Sequence, residues 1–212
     1  MSSFFTMPSD LQHSYLGLVA WHLQLAMIPV LLGLLIALPF GQLCVRFRWL
    51  YAPMLGVTTV LYAIPSLAFF VVLIDWTGQS DTTVMIPLTI YTLVILIPAI
   101  IDGVRSVPPE THAAATAMGF GPARRYFQVD LPMAVPAIVA GLRVATVSSI
   151  SLVSVGALIG NQGALGNLLE DATQYHRPIL AWSSVITTAV LAILIDGLLV
   201  LLRRLLTPWA AR

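Results

Sequence analysis

Between Asp10 and Arg46 no residue carries a fixed charge. A helix rises about 1.5 Å per residue, so an apolar run of that length crosses the roughly 30 Å of hydrocarbon in a bilayer. Four more apolar runs follow, separated by short polar turns. Spans are expected at about 16–45, 53–74, 82–101, 133–159 and 178–202. A backbone in lipid must satisfy its own hydrogen bonds, which leaves helices or a closed barrel, and runs of twenty or more apolar residues select helices. The expectation is therefore an all-α integral membrane protein with five transmembrane helices in a single domain, 1–212. Only 9% of the 212 residues are charged and 58% are hydrophobic, far from the quarter charged that is usual for soluble domains.

The arginines orient the spans. Arg46, Arg48, Arg105, Arg124, Arg125, Arg203, Arg204 and Arg212 fall on one side of a five-span arrangement. The opposite turns hold Asp75, Asp81, Glu170 and Asp171, with Arg177 against them. Basic residues gather on the cytoplasmic side. The N-terminus is thus expected outside and the C-terminus inside, with the polar stretch 103–132, between spans three and four, in the cytoplasm. The first residues, MSSFFTMPSDLQHSYLG, have no basic lead and no clear cleavage site, and read as retained.

Several functions are excluded. All ten basic residues are arginine, so a phosphate-binding P-loop, which needs its lysine, is absent, as is any lysine nucleophile. A net charge of +1 gives no overall attraction to nucleic acid. Cys44 is the single cysteine, which rules out an intrachain disulfide and a cysteine zinc cluster. His22, His112 and His176 show no ligand spacing, so no metal site is expected. Asp102 and Asp196 lack any flanking pattern of an intramembrane aspartyl protease, and no catalytic residue is assigned.

The stretch GVRSVPPETHAAATAMGFGPARRYFQVDLPMAVP, 103–136, is the long polar interruption. Pro108-Pro109 ends the preceding helix. Glu110 then lies in the first turn of an Ala-rich segment, where a carboxylate suits the helix dipole. Ala113, Ala114, Ala115 and Ala117 favour helix with little side-chain bulk. Gly119 and Gly121 can end it. Pro122 suits the start of a second short helix, carrying Arg124 and Arg125. A pair of short helices on the membrane surface is expected, the first with a smooth face.

This loop resembles the cytoplasmic signature of bacterial ATP-binding-cassette (ABC) importer permeases: Glu-Ala-Ala, three residues, Gly, nine residues, Ile, one residue, Leu-Pro. With Gly119 on the motif glycine, Ala114 and Ala115 take the two alanines, Val129 the aliphatic position, and Leu131-Pro132 the closing pair. Ala113 stands where the motif has glutamate, and Glu110 lies one turn earlier. Over about 21–204 the chain also resembles the permeases for glycine betaine, choline and carnitine, through HLQLAMIPVLLGLLIALPFG, YAIPSLAFF, LPMAVPAIVAGLR and ALIGNQGALGNLL. Related permeases for amino acids share parts of this layout.

The resemblance implies a type I ABC importer permease, with Glu110, Ala113, Ala114, Ala115, Gly119, Leu131 and Pro132 in the element that docks on an ATPase. It implies as partners an ABC ATPase subunit, an extracytoplasmic solute-binding protein, a second permease copy or a homologous permease, a small-molecule solute and the lipid bilayer. No cofactor is expected on this chain, ATP and Mg being the partner ATPase's.

Within the spans, Tyr62, Pro65, Ser66, Tyr91 and Asn161 are candidate pathway residues. Broken helices free carbonyls that need a polar cavity, and aromatic faces suit a quaternary ammonium. Arg143, inside the fourth span, is expected to reach the interface or to pair with Asp102 or Asp130, and Asp196 to pair with an arginine or a hydroxyl. Gly33, Ala37 and Gly41 form a ladder of small residues suited to close helix packing.

Overall fold

A computed structural model describes residues 15–159 and 164–210. Among these the chain is all-helical, in the order α1 Tyr15–Arg46, α2 Tyr51–Ala63, α3 Ser66–Thr77, α4 Asp81–Arg105, α5 Pro109–Ala117, α6 Pro122–Arg125, a π-helical turn Tyr126–Asp130, α7 Leu131–Gly156, α8 Asn167–Gln174 and α9 Pro178–Leu206. The N-terminal residues 1–14, expected to be retained, lie outside the described residues.

Among the described residues, four helices are long and apolar enough to cross a membrane: α1, α4, the continuous helix Pro122–Gly156, and α9. The expected second span is not a straight helix. α2 and α3 pass the same test only together, and they meet at a 90° bend. Pro65 causes it: the residue before a proline is pushed out of the helical region, and Ile64 sits at φ −70°, ψ 123°. Pro65, itself extended, then caps the start of α3. The pair is a broken span or a re-entrant segment.

α4 is the central helix, packed along α1 on one side and α7 on the other. The small-residue ladder on α1 serves this contact. Ala37 is fully buried, and a side chain at Gly33 or Gly41 would run into Thr92 or Ile100 of α4. Gly141 of α7 meets Ala99 of α4 in the same way. Such close approach is how helices hold together in lipid, where burial of apolar surface gives no driving force. Polar ties add direction. His22, wholly buried on α1, bonds through Nε2 to the carbonyl of Ile150 on α7 at 2.9 Å. Ser149 Oγ returns a bond to the carbonyl of Ala26 at 2.9 Å.

The buried side chains form two groups along this three-helix core. One is built on Cys44, Ile100, Val104 and Ile138, near the loop between α4 and α6. The other is built on Leu25, Phe70, Val84 and Val153, near the opposite ends. α9 is held differently. It lies on α7 and α8 and buries one residue, Ser184, whose hydroxyl donates to the carbonyl of Leu165 at 2.7 Å.

Candidate functional site

The loop between α4 and α7 is ordered by local chemistry. α4 stops at Arg105, whose guanidinium lies 4.1 Å from the centre of the Tyr51 ring. Pro108, extended at φ −59° and ψ 140°, turns the chain, and its carbonyl receives the N–H groups of Thr111 and His112 as α5 begins. Glu110 lies in the first turn. At the other end Gly119 takes φ +79°. Its N–H bonds to Thr116 O, and that of Phe120 to Ala115 O, both at 3.0 Å. This pair of bonds is a Schellman cap, which requires a left-handed residue where the glycine stands.

α5 has two faces. Glu110, Ala113, Ala114 and Ala117 are exposed and fall at helical spacing on one side. Ala115 is buried (1% exposed), turned toward the rest of the chain with the half-buried His112. Glu110 thus shares the exposed stripe with Ala113, the position at which the signature has its glutamate.

The second short helix expected from the sequence needs correction. α6 does not stop: it runs through the π-turn into α7 as one 35-residue helix. The N–H of Leu131 reaches five residues back to Tyr126 O, the π pattern. Pro132 has no N–H to offer an ordinary helical bond to Gln128, so the helix widens just before it. Leu131 and Pro132 are thereby half-buried inside the long helix, not at a helix start. Arg124 stays on the surface, 4.3 Å from the Phe120 ring centre and bonded to Gln128 Oε1 at 2.9 Å.

A cluster that sequence reasoning missed joins α5 to this helix. Asp130, 4% exposed, sits at the end of the π-turn. One carboxylate oxygen lies 3.0 Å from His112 Nε2, the other 3.7 Å from Arg125 Nε. Asp130 was a candidate partner for Arg143, but Arg143 pairs elsewhere. Its Nε and Nη2 donate to both oxygens of Asp196 at 2.6 and 2.7 Å, tying α7 to α9.

The candidate pathway residues are only partly brought together. Pro65 and Ser66 form the bend between α2 and α3, and Tyr91 of α4 grips it, donating to the carbonyl of Ile64 at 2.8 Å. The Phe69 ring meets Tyr91 edge-on at 6.0 Å. Tyr62 is 64% exposed and apart from this contact. Asn161 lies outside the described residues. Replacing Tyr91 by Phe is expected to leave the Ile64 carbonyl unmet, at a cost of about 1–3 kcal/mol. Tyr91→Leu also removes the edge contact and should melt lower still in detergent. If Tyr91→Phe melted with the native protein, the hydroxyl would not be what holds the bend.

Comparison with known proteins decides the family. The family described as "binding-protein-dependent transport system inner membrane component" matches residues 29–212. This chain belongs to that family. The osmoprotectant import permease protein OsmW of Salmonella typhimurium is 32% identical over 90% of this chain and 91% of its own length. The choline transport system permease protein OpuBB of Bacillus subtilis is 28% identical over 88% and 86%. In structure, a chain of the MetNI methionine ABC transporter superposes with a TM-score of 0.80, covering 95% of this chain and 100% of that one at 19% identity. The all-helical architecture with its several apolar helices is therefore that of an ABC importer permease, a multi-pass membrane component of a transport system.

Proposed function

We propose that this chain is the permease subunit of an ATP-driven importer for osmoprotectants of the glycine betaine, choline and carnitine class. Its relatives support the solute class: they are named for choline, for carnitine, for glycine betaine with both, or for osmoprotectants, and match over most of their length. It sits in a bacterial cytoplasmic membrane with the N-terminus outside and the C-terminus inside, as the arginine distribution favours. Two such permeases, identical or homologous, enclose the pathway. A solute-binding protein delivers from outside, and ATP is hydrolysed on a separate ATPase.

The observation that carries the mechanism is α5. A helix whose outward face is Glu110, Ala113, Ala114 and Ala117 presents backbone-close, low surface with a carboxylate at its edge, the shape a groove on a partner can admit. On its far side His112 meets Asp130 of the long helix Pro122–Gly156 at 3.0 Å. ATP binding closes the two ATPases, α5 moves with its groove, and the long helix carries the motion to the pathway. A permease with two discrete arrangements needs no nucleotide site of its own for this, because the driving energy enters as differential binding on the partner.

The test is co-purification from native membranes in mild detergent, with Ala114→Arg beside the native chain. Ala114 is exposed, so the arginine has room in the free subunit and fills only a docking groove. The native chain is expected to bring an ATPase and a solute-binding protein, the latter titrating with glycine betaine or choline. Ala114→Arg should insert normally and lose the ATPase. An ATPase retained by Ala114→Arg would remove α5 from the interface. A native chain arriving with neither partner would end the importer reading.

A further inference from the structure

We propose that Asp130 is the positioning residue that fixes the docking helix to the membrane-crossing helix, through His112 of α5. The inference rests on α5 being the docking helix and adds how its motion is transmitted. α5 is nine residues long, flanked by the Pro108 turn and the Gly119 cap, both of them loop geometry. An isolated helix of that length has little stability in water, so it cannot drive anything unless it is tied down. Its apolar tie is small: Ala115 is the one buried residue within it. The polar tie is Asp130.

Three features make Asp130 suited to that role. It is 4% exposed, so its carboxylate meets its partners with less solvent screening than a surface group would. One oxygen faces His112 of α5 at 3.0 Å, while the other lies 3.7 Å from Arg125 on the same long helix. And it ends the π-turn. A π-turn adds one residue to the helix, rotating all later residues by about 100°. The widening set up ahead of Pro132 thus helps decide which side of the helix the carboxylate faces. A displacement of α5 is then passed to α7 through the His112–Asp130 contact and a stiff helix, and not through loop backbone.

Removing the charge with Asp130→Asn, which keeps the volume, should loosen α5 while leaving its exposed face intact. The test uses the whole importer, purified with its ATPase and reconstituted in proteoliposomes. Spin labels at Thr116 and Ala140, both exposed, report the distance between α5 and α7 in a Cys44→Ser background. With Asp130→Asn the distance distribution should broaden and the ATPase should remain bound. Uptake of radiolabelled glycine betaine per ATP hydrolysed should fall at least about fivefold, the lower end of ordinary coupling between sites. Asp130→Glu should restore both readouts, and His112→Arg should keep both near native.

If Asp130→Asn disturbed insertion, His112→Ala carries the same test from a side chain that is 35% exposed and outside the core. A native-width distance distribution in these variants would overturn the proposal, whatever solute is carried. Ala114→Arg separates the two readings. If it keeps its ATPase, the docking-helix assignment fails and this inference falls with it. If it loses its ATPase while Asp130→Asn and His112→Ala behave as native, docking stands and only the Asp130 link is wrong.

Discussion

Gly119→Val is expected to insert at native levels, hold its ATPase weakly, and transport poorly. Space is not the reason, since nothing lies within 4 Å of where a Cβ would stand. The backbone is. At φ +79° an L-residue is strained by roughly 1–2 kcal/mol, and a β-branched one fares worst. That strain opposes the cap that turns the N–H groups of Gly119 and Phe120 back onto α5. One or two kcal/mol shifts a local equilibrium by about 5- to 30-fold. For a nine-residue helix this separates a formed docking surface from a frayed one. Gly119→Asn is the matched control, because asparagine enters the left-handed region readily. Asn should retain most uptake and most of the bound ATPase, and Ala should fall between. Uptake and co-purification across the series Gly, Asn, Ala, Val check the order. Equal behaviour of Val and Asn would mean that the left-handed turn is not what the loop requires.

The features that could be read from the sequence were those written in neighbouring residues. Pro108-Pro109, the alanines and Gly119 punctuate the chain locally, so the limits of α5 follow from backbone chemistry alone. The small residues of α1 announced a close contact because only a missing side chain admits one, although its partner α4 could not be named. The bend at Pro65 was visible as an interruption but not as a right angle. Hydropathy has no direction, and α2 and α3 are apolar on both sides of the break. The second short helix was misread for a related reason. Pro122 does start a helix, but FQVD ahead of Leu131-Pro132 looks like its end, and a π-turn before Pro132 lets the helix continue. Pairings across long sequence distances were the least legible. Asp130 could serve Arg143, Arg125 or His112 on charge alone, and only the rotation of the long helix selects between them.

Arg143 and Asp196 show what such a long-range pairing is for. α9 buries only Ser184 fully and rests Ala192 and Ile195 against the core, a thin apolar contact for so long a helix. The two-pronged bond from Arg143 supplies a fixed point with defined geometry, because a guanidinium fork matches a carboxylate. Asp196 lies ten residues before Leu206, about 15 Å from the end of α9, and inside the arginines at 203 and 204. At that depth a lone charge is expensive. The two single variants should therefore differ. In Asp196→Leu the long arginine side chain can reach toward the headgroups. In Arg143→Leu the short carboxylate cannot, so this variant should melt lower in detergent and accumulate less in the membrane. Arg143→Leu with Asp196→Leu removes both charges and should recover most of the lost stability, as apolar replacement of whole buried pairs does elsewhere. Melting temperature and membrane yield for the four proteins check this directly. Uptake by the double variant then assigns the role. Near-native transport means the pair is a fastening for α9, the outcome expected from its closed geometry, with both carboxylate oxygens taken by one guanidinium. A stable double variant that does not transport would instead place the charges themselves on the solute's route or in the switch between its two states.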